Sequence, residues 1–282
     1  MRVSLIQLNS STDREANLAQ AKALMTKAME RDRPDLIVLP ETMTWIGGTK
    51  EQRLAAGQPF PENDGYQLCK HFAAENAANV HCGSVTEAIP GQTRNRNTSV
   101  VFDRSGTEIA RYAKIHMFDV AAPDGTAYLE SDAFEPGSDV VTAEIDGTTF
   151  GLSICYDLRF PELFTALVGA GSSAIILPAA FTLQTGKDHW EVLCRARAIE
   201  TQCWVLACGQ FGNAPGPDGR PRASYGHSMI IDPWGHVVAR ASDGIGFVTA
   251  TLDFAMVDAV RRRMPVSAHR RLVPAPFSVA AE

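Results

Sequence analysis

Residues 150–162 read Phe-Gly-Leu-Ser-Ile-Cys-Tyr-Asp-Leu-Arg-Phe-Pro-Glu, and this stretch is the most informative guide to the fold. It opens as an apolar strand that ends at Cys155, and a helix is predicted over Glu162–Gly169. Before it, Val140–Ile145 and an Asp146-Gly147 turn predict a β-hairpin with the same strand. The chain therefore passes from a hairpin through a sharp corner into a helix.

Similar units recur on both sides of this corner, because strands and helices alternate along the chain. Two halves that each mix hairpins with strand–helix crossovers predict two packed sheets covered by helices, an α/β architecture. No linker-like stretch separates the halves, so we expect one domain over residues 1–282. The stretch from Phe118 to Asp139 is predicted to be irregular. The remaining predicted strands are Val3–Leu8, Asp35–Pro40, Val80–Glu87, Thr98–Asp103, Glu108–Tyr112, Thr149–Cys155, Ala174–Pro178, Trp204–Gly209, Ser228–Asp232, His236–Arg240 and Phe247–Leu252, and the helices are Arg14–Glu30, Tyr66–Ala77, Lys187–Gln202 and Phe254–Arg263.

Composition argues against several classes of function. The 282 residues carry a formal net charge of −6 with no basic block, so a nucleic-acid partner is not expected. The longest apolar stretch, Ala174–Phe181, is far shorter than the about 20 residues of a membrane-spanning helix, so no membrane partner is expected. The first apolar run is too short for a signal peptide. Six cysteines without a Cys-x-x-Cys pair are typical of reduced thiols, and we expect a cytoplasmic protein.

Three residues occupy positions that favour catalysis. Cys155 lies at a strand-to-helix corner, near backbone N–H groups that can hold an oxyanion, and a buried packing role is the alternative. Glu41 follows the apolar run Leu36–Pro40, where burial would raise its pKa toward that of a general base; a capping glutamate is the alternative. Lys114, between apolar neighbours, could stabilise an oxyanion or extend its ammonium group to water.

Other kinds of site find less support. No His-x-x-x-His motif or cysteine cluster has the spacing of zinc ligands, so no metal is expected. No Gly-x-Gly-x-x-Gly motif or phosphate loop follows a strand, so nucleotide binding is not indicated. A Cys–His hydrolase stays an alternative, with His116, His189 or His227 as the partner of Cys155.

Three segments of the sequence, taken in order, resemble the three signatures of the nitrilase (carbon–nitrogen hydrolase) superfamily. They are Pro40-Glu41, the lysine of Lys114-Ile-His-Met-Phe-Asp119, and Gly151–Glu162. Glu130-Ser131, followed by Pro136-Gly137, is similar to the loop that carries a second glutamate in that family. The resemblance extends over nearly the whole chain and points to the Nit branch of amidases, through Pro178–Thr182, His189–Cys203, Ala223–Gly235 and Pro265–Arg271.

That resemblance implies a four-layer α-β-β-α sandwich that pairs through a helical face into a homodimer or higher homo-oligomer. It also implies amide hydrolysis with Cys155 as the nucleophile, Glu41 as the base and Lys114 as an oxyanion ligand. Glu130 would support Lys114, and the backbone N–H of Tyr156 would be a second oxyanion donor. The family resemblance implies neither a cofactor nor a metal.

Similarity within the branch implies the substrate. Ala223–Gly235 and Arg195–Cys203 look most similar to enzymes that hydrolyse deaminated glutathione, a small-molecule amide, to 2-oxoglutarate and cysteinylglycine. The alternative is ω-amidase action on 2-oxoglutaramate or another small carboxylated amide. Thr182 and Arg159 lie close to family motifs and are candidate substrate-binding residues, although Arg159 could instead pair with Glu162 or Asp157.

Overall fold

Two β-sheets lie face to face in the computed structural model, which describes residues 1–121, 127–216 and 219–272. The first sheet contains seven strands, which are β1 (Arg2–Gln7), β2 (Leu36–Val38), β3 (Asn79–His81), β4 (Val85–Ala88), β5 (Asn95–Phe102), β6 (Glu108–Ala113) and β17 (Gly246–Thr251). Its order is β17-β1-β2-β3-β5-β4, and β6 also pairs with β5. The central strands β1, β2 and β3 run parallel to one another.

The second sheet has six strands in the order β16-β15-β12-β11-β10-β9. They are β9 (Thr142–Ile145), β10 (Thr148–Leu152), β11 (Ala174–Ala179), β12 (Trp204–Gly209), β15 (Met229–Ile231) and β16 (Val237–Arg240). Two antiparallel ribbons stand apart from the sheets: β7 (Asp119–Ala121) with β8 (Ala127–Leu129), and β13 (Phe211–Pro215) with β14 (Pro221–Tyr225).

Helices connect and cover the sheets. They are α1 (Arg14–Asp32), α2 (Lys50–Ala55), α3 (Asp64–Asn76), α4 (Pro161–Gly169), α5 (Leu183–Thr185), α6 (Glu191–Thr201), α7 (Ala255–Arg263) and α8 (Val266–His269). Two 3₁₀ turns, Glu130–Asp132 and Cys155–Arg159, and one π-helical turn, Gly186–Trp190, complete the described elements. Within the described ranges, no helix is long and apolar enough to cross a membrane.

The alternation of side chains along the strands assigns the layers, because successive residues point to opposite faces. In β1, Val3 and Leu5 belong to the core shared with Leu152 and other residues of the second sheet. Ile6, on the opposite face, packs instead with Met25 of α1 and residues of α3.

The far face of the second sheet is covered in the same way. Phe164 of α4 and Cys194 of α6 join the core from that side. The layer order is therefore α-β-β-α, and the predicted four-layer sandwich is confirmed.

The single strand predicted at Val80–Glu87 is wrong, because the chain turns between β3 and β4. At the turn, Gly83 has a φ of 67°, and a Cβ atom there would overlap the carbonyl oxygen of Pro40. Only glycine accommodates both the left-handed backbone and this close approach.

Two further expectations need correction. The stretch Phe118–Asp139 is not wholly irregular, since it contains the β7–β8 ribbon and a 3₁₀ turn; residues 122–126 lie outside the described residues. The helix predicted at Lys187–Gln202 is divided into the π-helical turn and α6. The widened turn coincides with a close approach to β14, where a Cβ atom on Gly186 would overlap the Tyr225 side chain.

Candidate active site

Cys155 is held at a tight corner directly after β10, as the first residue of a 3₁₀ turn that leads into α4. Its φ of 49° lies in the left-handed region, which costs a residue with a side chain about 1–3 kcal/mol. Ser153 bonds the carbonyl of Ile176 in β11 through both its backbone N–H and its hydroxyl, at 3.1 and 2.9 Å. The Asp157 carboxylate accepts a 2.8 Å hydrogen bond from the Ile154 N–H. The predicted corner is thus confirmed, and hydrogen bonds to β11 and to Asp157 hold its backbone in place.

Glu41 follows β2 in a loop that is bonded to the turn after β3. The Met43 N–H donates to the Ser84 carbonyl at 3.0 Å, and the Ser84 N–H donates to the Pro40 carbonyl at 3.2 Å. The Ser84 hydroxyl also accepts a 2.9 Å hydrogen bond from the Thr42 N–H. These bonds position the Glu41 backbone at the carboxyl end of a parallel strand, where α/β proteins commonly place reactive groups.

Lys114 comes directly after β6 and Glu130 begins the 3₁₀ turn after β8. The Lys114 N–H donates to the Asn97 carbonyl at 2.9 Å, so the backbone continues the β5–β6 pairing by one residue. Glu130 is oriented by the Phe118 N–H, which donates to its Oε2 at 2.7 Å. The two residues thereby approach each other from neighbouring segments.

The side chains of Glu41, Lys114 and Glu130 converge below the surface. Lys114 Nζ donates to Glu41 Oε1 at 2.9 Å and to the two Glu130 oxygens at 3.0 and 2.8 Å. Glu41 is 4% exposed and Lys114 is 2% exposed. The alternative in which Lys114 extends to water is therefore wrong, since two carboxylates hold its ammonium group inside.

Cys155 joins this cluster from the second sheet, with 7% of its surface exposed. Its thiol lies beside the Glu41 carboxylate, and both groups line the same cavity. The Ala180 N–H lies 2.9 Å from Glu41 Oε2 and donates to it. A backbone amide directly after β11 of the second sheet therefore holds the carboxylate that follows β2 of the first sheet.

The protonation states follow from this arrangement. Burial alone would raise the pKa of Glu41, as the sequence led us to expect, but the Lys114 ammonium, the neighbouring Cys155 thiol and the hydrogen bond from Lys114 lower it below the ordinary value. Burial would lower the pKa of Lys114, yet the Glu130 and Glu41 carboxylates raise it far above the ordinary value. The expectation for Glu41 is thus wrong in direction, and the resting site holds an ionised Glu41 beside a charged Lys114.

The Cys155 thiol is protonated in the same resting state. Burial raises the pKa of Cys155 well above that of a free thiol, and the Glu41 carboxylate raises it further, while Lys114 acts in the opposite direction. An ionised carboxylate beside a neutral thiol is a suitable pair for proton transfer, since the acceptor is free to take the proton.

A cavity of about 290 Å³ opens onto these groups. Glu41, Lys114, Glu130 and Cys155 all line it, so the structure brings together the four residues that the sequence singled out. Tyr156 also lines the cavity and lies in the first turn of a 3₁₀ segment, where backbone N–H groups lack partners within the helix.

The two candidate substrate-binding residues occupy different positions. Thr182 lines the cavity, with its hydroxyl 2.8 Å from that of Thr185. Arg159 is not among the described residues that line it; its guanidinium lies over the rings of Tyr156 and Phe181, at 5.9 and 5.4 Å from their centroids. Arg159 does not form an ion pair with Glu162 or Asp157 either. Its Nη2 instead lies 3.2 Å from His189 Nδ1. A direct contact between Arg159 and substrate stays a prediction.

None of the described residues that line the cavity is a histidine. His116 stacks on Phe160 at 3.7 Å and faces the buried Asp157, and His227 faces the exposed Asp243. His189 is paired with Arg159. The geometry therefore gives the Cys–His alternative no support.

Several residues of the site were not foreseen from the sequence. Asn97 donates through Nδ2 to Glu41 Oε1 at 2.9 Å and to Glu130 Oε1 at 3.3 Å. Asp157 accepts hydrogen bonds from Tyr112 Oη at 2.7 Å and from His116, which places it between the Lys114 segment and the Cys155 corner. Both side chains are polar residues in otherwise buried segments, and that pattern is the signal by which they could have been found.

The geometry agrees with comparisons to known proteins. A family model described as carbon-nitrogen hydrolase matches residues 2–262. The deaminated glutathione amidase of Bos taurus is 37% identical over 273 residues, which cover 95% of this chain and 81% of that protein. The omega-amidase NIT3 of Saccharomyces cerevisiae is 34% identical over 276 residues, covering 96% of this chain and 93% of that protein.

Solved structures agree as well. The crystal structure of Saccharomyces cerevisiae Nit3, a member of branch 10 of the nitrilase superfamily, matches with a TM-score of 0.84 and 31% identity, over 96% of this chain and 97% of that one. The nitrilase and fragile histidine triad fusion protein NitFhit of Caenorhabditis elegans is 35% identical over 271 residues, and its crystal structure matches with a TM-score of 0.87. This chain spans 60% of the length of that fusion protein, although 95% of the chain is matched.

Proposed function

Because this chain belongs to the carbon–nitrogen hydrolase family, as its signature segments predicted, we propose that it hydrolyses the amide bond of deaminated glutathione to 2-oxoglutarate and cysteinylglycine. One observation carries the proposal: a thiol, a carboxylate and an ammonium group from three distant segments converge on one cavity. The 37% identity to a deaminated glutathione amidase supports this substrate.

In the first half of the reaction, the Cys155 sulfur attacks the amide carbon as Glu41 takes the thiol proton. The carbonyl oxygen becomes an oxyanion, which Lys114 Nζ and the Tyr156 N–H stabilise; a donor of this kind contributes about 3 kcal/mol. Glu41 then gives the proton to the amide nitrogen as the carbon–nitrogen bond breaks. Cysteinylglycine leaves, and the acyl group stays on Cys155 as a thioester.

In the second half, Glu41 is ionised again and takes a proton from an incoming water. The resulting hydroxide attacks the thioester carbon, and the same two donors hold the second oxyanion. When the carbon–sulfur bond breaks, 2-oxoglutarate leaves and the sulfur regains its proton from Glu41. Throughout, Glu130 keeps Lys114 charged and in place by the hydrogen bonds described above.

The central test is covalent trapping at Cys155. A slowly hydrolysed amide should add the mass of its acyl group to the peptide that contains Cys155. The Cys155→Ala variant should lose hydrolysis and labelling while keeping its far-UV circular dichroism, and Cys194→Ala, at a buried thiol in α6, should retain both. Hydrolysis by Cys155→Ala, or a label on Cys194 or Cys208, would contradict the scheme.

The second candidate function is ω-amidase action on 2-oxoglutaramate, favoured by the 34% identity to the yeast omega-amidase. Both substrates share the 2-oxoglutaryl group and differ in the leaving group, which is cysteinylglycine in one case and ammonia in the other. Comparison of kcat/KM for the two amides on the purified protein discriminates between them. We expect the larger value for deaminated glutathione, and equal values would leave its selection unsupported.

We also propose that two copies pair through the α6 patch, which we define as Val192, Ile199, Trp234 and Val238. These side chains are exposed by 67, 51, 47 and 45%. The bond from Arg195 Nε to the Gly235 carbonyl and the ion pair of Arg240 with Glu191 join the helix to the β15–β16 hairpin. Exposed apolar side chains clustered in this way commonly mark an interface between proteins.

We propose, further, a single domain and a cytoplasmic location. Residues 1–282 act as one domain, which is supported by the core that both sheets share. The protein works in the cytoplasm, which is supported by six cysteines that are all free and buried.

A further inference from the structure

Two arginines line the active-site cavity without a role in the steps above. Arg53 comes from α2 and Arg222 comes from β14, and both face the space onto which Glu41, Lys114 and Cys155 open. They belong to separate elements of the two halves of the chain. Their presence in one cavity therefore results from the fold and not from nearness in sequence.

The Arg53 side chain is half-buried in the cavity wall. Its Nε atom is buried, and within the part of the chain that the structure describes its guanidinium forms no hydrogen bond and no ion pair. Burial lowers the pKa of Arg53; Glu130 and Asp132 raise it, and Arg222 lowers it further. A buried donor without an acceptor costs stability unless a ligand satisfies it.

Arg222 is fixed in position yet also keeps an unused donor. Its Nη2 donates to the Ala180 carbonyl at 2.6 Å, and the guanidinium lies 5.6 Å from the centroid of the Tyr128 ring. The Nε atom is buried and has no partner among the described residues. Since the Ala180 N–H donates to Glu41, Arg222 is bonded to the same residue that holds the Glu41 carboxylate.

Like charges placed near each other in a partly buried cavity favour an anion between them. The guanidinium group presents donors in a planar fork that fits a carboxylate. The proposed substrate carries such a group, because its acyl half ends in the carboxylate of 2-oxoglutarate. That carboxylate is only a few bonds from the amide carbon, which matches a site close to Glu41 and Glu130.

We propose that Arg53 and Arg222 together bind the carboxylate of the substrate's acyl half and make the enzyme selective for monoamides of dicarboxylic acids. This inference rests on the proposed hydrolysis of a carboxylated amide and names the residues that recognise it. Arg159, by contrast, lies over the rings of Tyr156 and Phe181 and is not among the described residues that line the cavity.

The test compares two amides that differ only in the charged end. Glutaramate ends in a carboxylate, and pentanamide carries a methyl group at the same position. We expect Arg53→Met and Arg222→Met each to lower kcat/KM for glutaramate 10- to 100-fold, mainly through KM, and to change that for pentanamide less than threefold. Arg222→Lys should recover part of the loss, and Arg262→Met, at an exposed position on α7, should match the wild-type protein on both amides.

Equal losses on the two amides would overturn the inference, because the arginines would then act on the reacting groups or on the fold. Equal kcat/KM of the wild-type protein for glutaramate and pentanamide would also overturn it while leaving amide hydrolysis intact. Binding provides a measure that does not need turnover: calorimetry with glutarate and the Cys155→Ala protein should give a Kd at least tenfold weaker after Arg53→Met. An unchanged Kd would overturn the inference even if the wild-type protein hydrolysed the proposed substrate. If the wild-type protein hydrolysed neither amide but Arg53→Met still weakened glutarate binding tenfold, the inference would stand and only the proposed reaction would be refuted.

Discussion

Lys114 links the two carboxylates of the site, and its removal should have separable effects on activity and stability. Lys114→Met should lower kcat/KM at least 100-fold, because the oxyanion loses a charged donor. It should also destabilise the fold by about 3–5 kcal/mol, since Glu41 and Glu130 would remain buried without a cation. Amide hydrolysis and urea unfolding measure the two effects.

A double variant separates these effects. Lys114→Met with Glu130→Gln removes one of the stranded charges, so part of the stability should return while activity stays low. Full activity of Lys114→Met would contradict the role of its ammonium group. Equal stability of the single and double variants would contradict the charge argument.

His81, in β3, predicts how stability depends on acid. Burial lowers its pKa to about 3, and its Nδ1 accepts a 3.1 Å hydrogen bond from the Gly83 N–H. The unfolded chain binds a proton near pH 6.5 and the folded chain does not, so this group contributes stability above that pH and loses it as the pH falls toward 3. The free energy of unfolding should fall by about 1.4 kcal/mol for each pH unit in this range.

Urea unfolding between pH 4 and 6 measures this dependence. His81→Asn should reduce the slope of the unfolding free energy against pH by the contribution of one proton. The reason is that asparagine keeps an acceptor and cannot be protonated in this range. His71→Asn, at an exposed position in α3, should leave the slope as it is in the wild-type protein. An unchanged slope in His81→Asn would show that other groups cause the acid sensitivity.

At the level of single residues, the sequence predicted the reactive groups better than their environment. Glu41, Lys114 and Cys155 stand in recognisable segments, and the four predicted side chains do meet. The lowered pKa of Glu41 could not be predicted, because it depends on how near Lys114 comes after folding. Asn97 and the Ala180 N–H were missed for the same reason, since strand pairing and sheet packing bring them to the site.

Among the elements, the segment after β6 and the corner after β10 are connected through Asp157, which is fully buried. Asp157→Ala removes the acceptor for Tyr112, His116 and the Ile154 N–H. It should cost about 2–4 kcal/mol, because several buried donors lose their partner. It should also lower kcat more than KM, since the segments that carry Cys155 and Lys114 would lose the carboxylate to which both are hydrogen-bonded.

A graded control is available in the same network. Tyr112→Phe removes one hydrogen bond to Asp157 and should cost about 1 kcal/mol with little change in kcat. Calorimetric melting and steady-state kinetics on both variants measure the difference. If Tyr112→Phe reduced kcat as strongly as Asp157→Ala, the connection between the two segments would depend on the tyrosine and not on the carboxylate.

The elements that the sequence predicted correctly are those with strong periodicity or clear end signals. Helix α1 begins at Arg14, as predicted, and Asp13 Oδ1 caps it by accepting from the Ala16 N–H at 3.0 Å. The β13–β14 ribbon was missed because it belongs to neither main sheet and has no long apolar run. The break at Gly83 was missed because its cause is contact with Pro40, which lies far away in sequence.

For the whole molecule, the α6 patch predicts a dimer that a single charged substitution in the patch dissociates. Ile199→Glu should convert the dimer to a monomer, because burying an unpaired carboxylate in an apolar interface is strongly unfavourable. Val140→Glu, at a comparably exposed position before β9, is the matched control and should leave the dimer intact. Sedimentation velocity measures the result, and a wild-type monomer at micromolar concentration would contradict the proposed pairing.

The general architecture was predictable from the sequence, and the arrangement of its layers was not. Alternating strands and helices indicated two sheets covered by helices, whereas the α-β-β-α order came from the family resemblance. The pairing of β1 with β17 explains the limit, since Arg2 lies beside Thr251 and nothing local to either segment signals that contact.

The division of the reacting groups between the two sheets has a practical consequence. Glu41 and Lys114 follow strands of the first sheet, and Cys155 follows a strand of the second. Cleavage of the exposed Ser138-Asp139 link would give two fragments, one with the base and the ammonium group and the other with the thiol. Neither piece would turn over substrate alone, so recovered turnover on mixing would serve as an enzymatic sensor of fragment complementation.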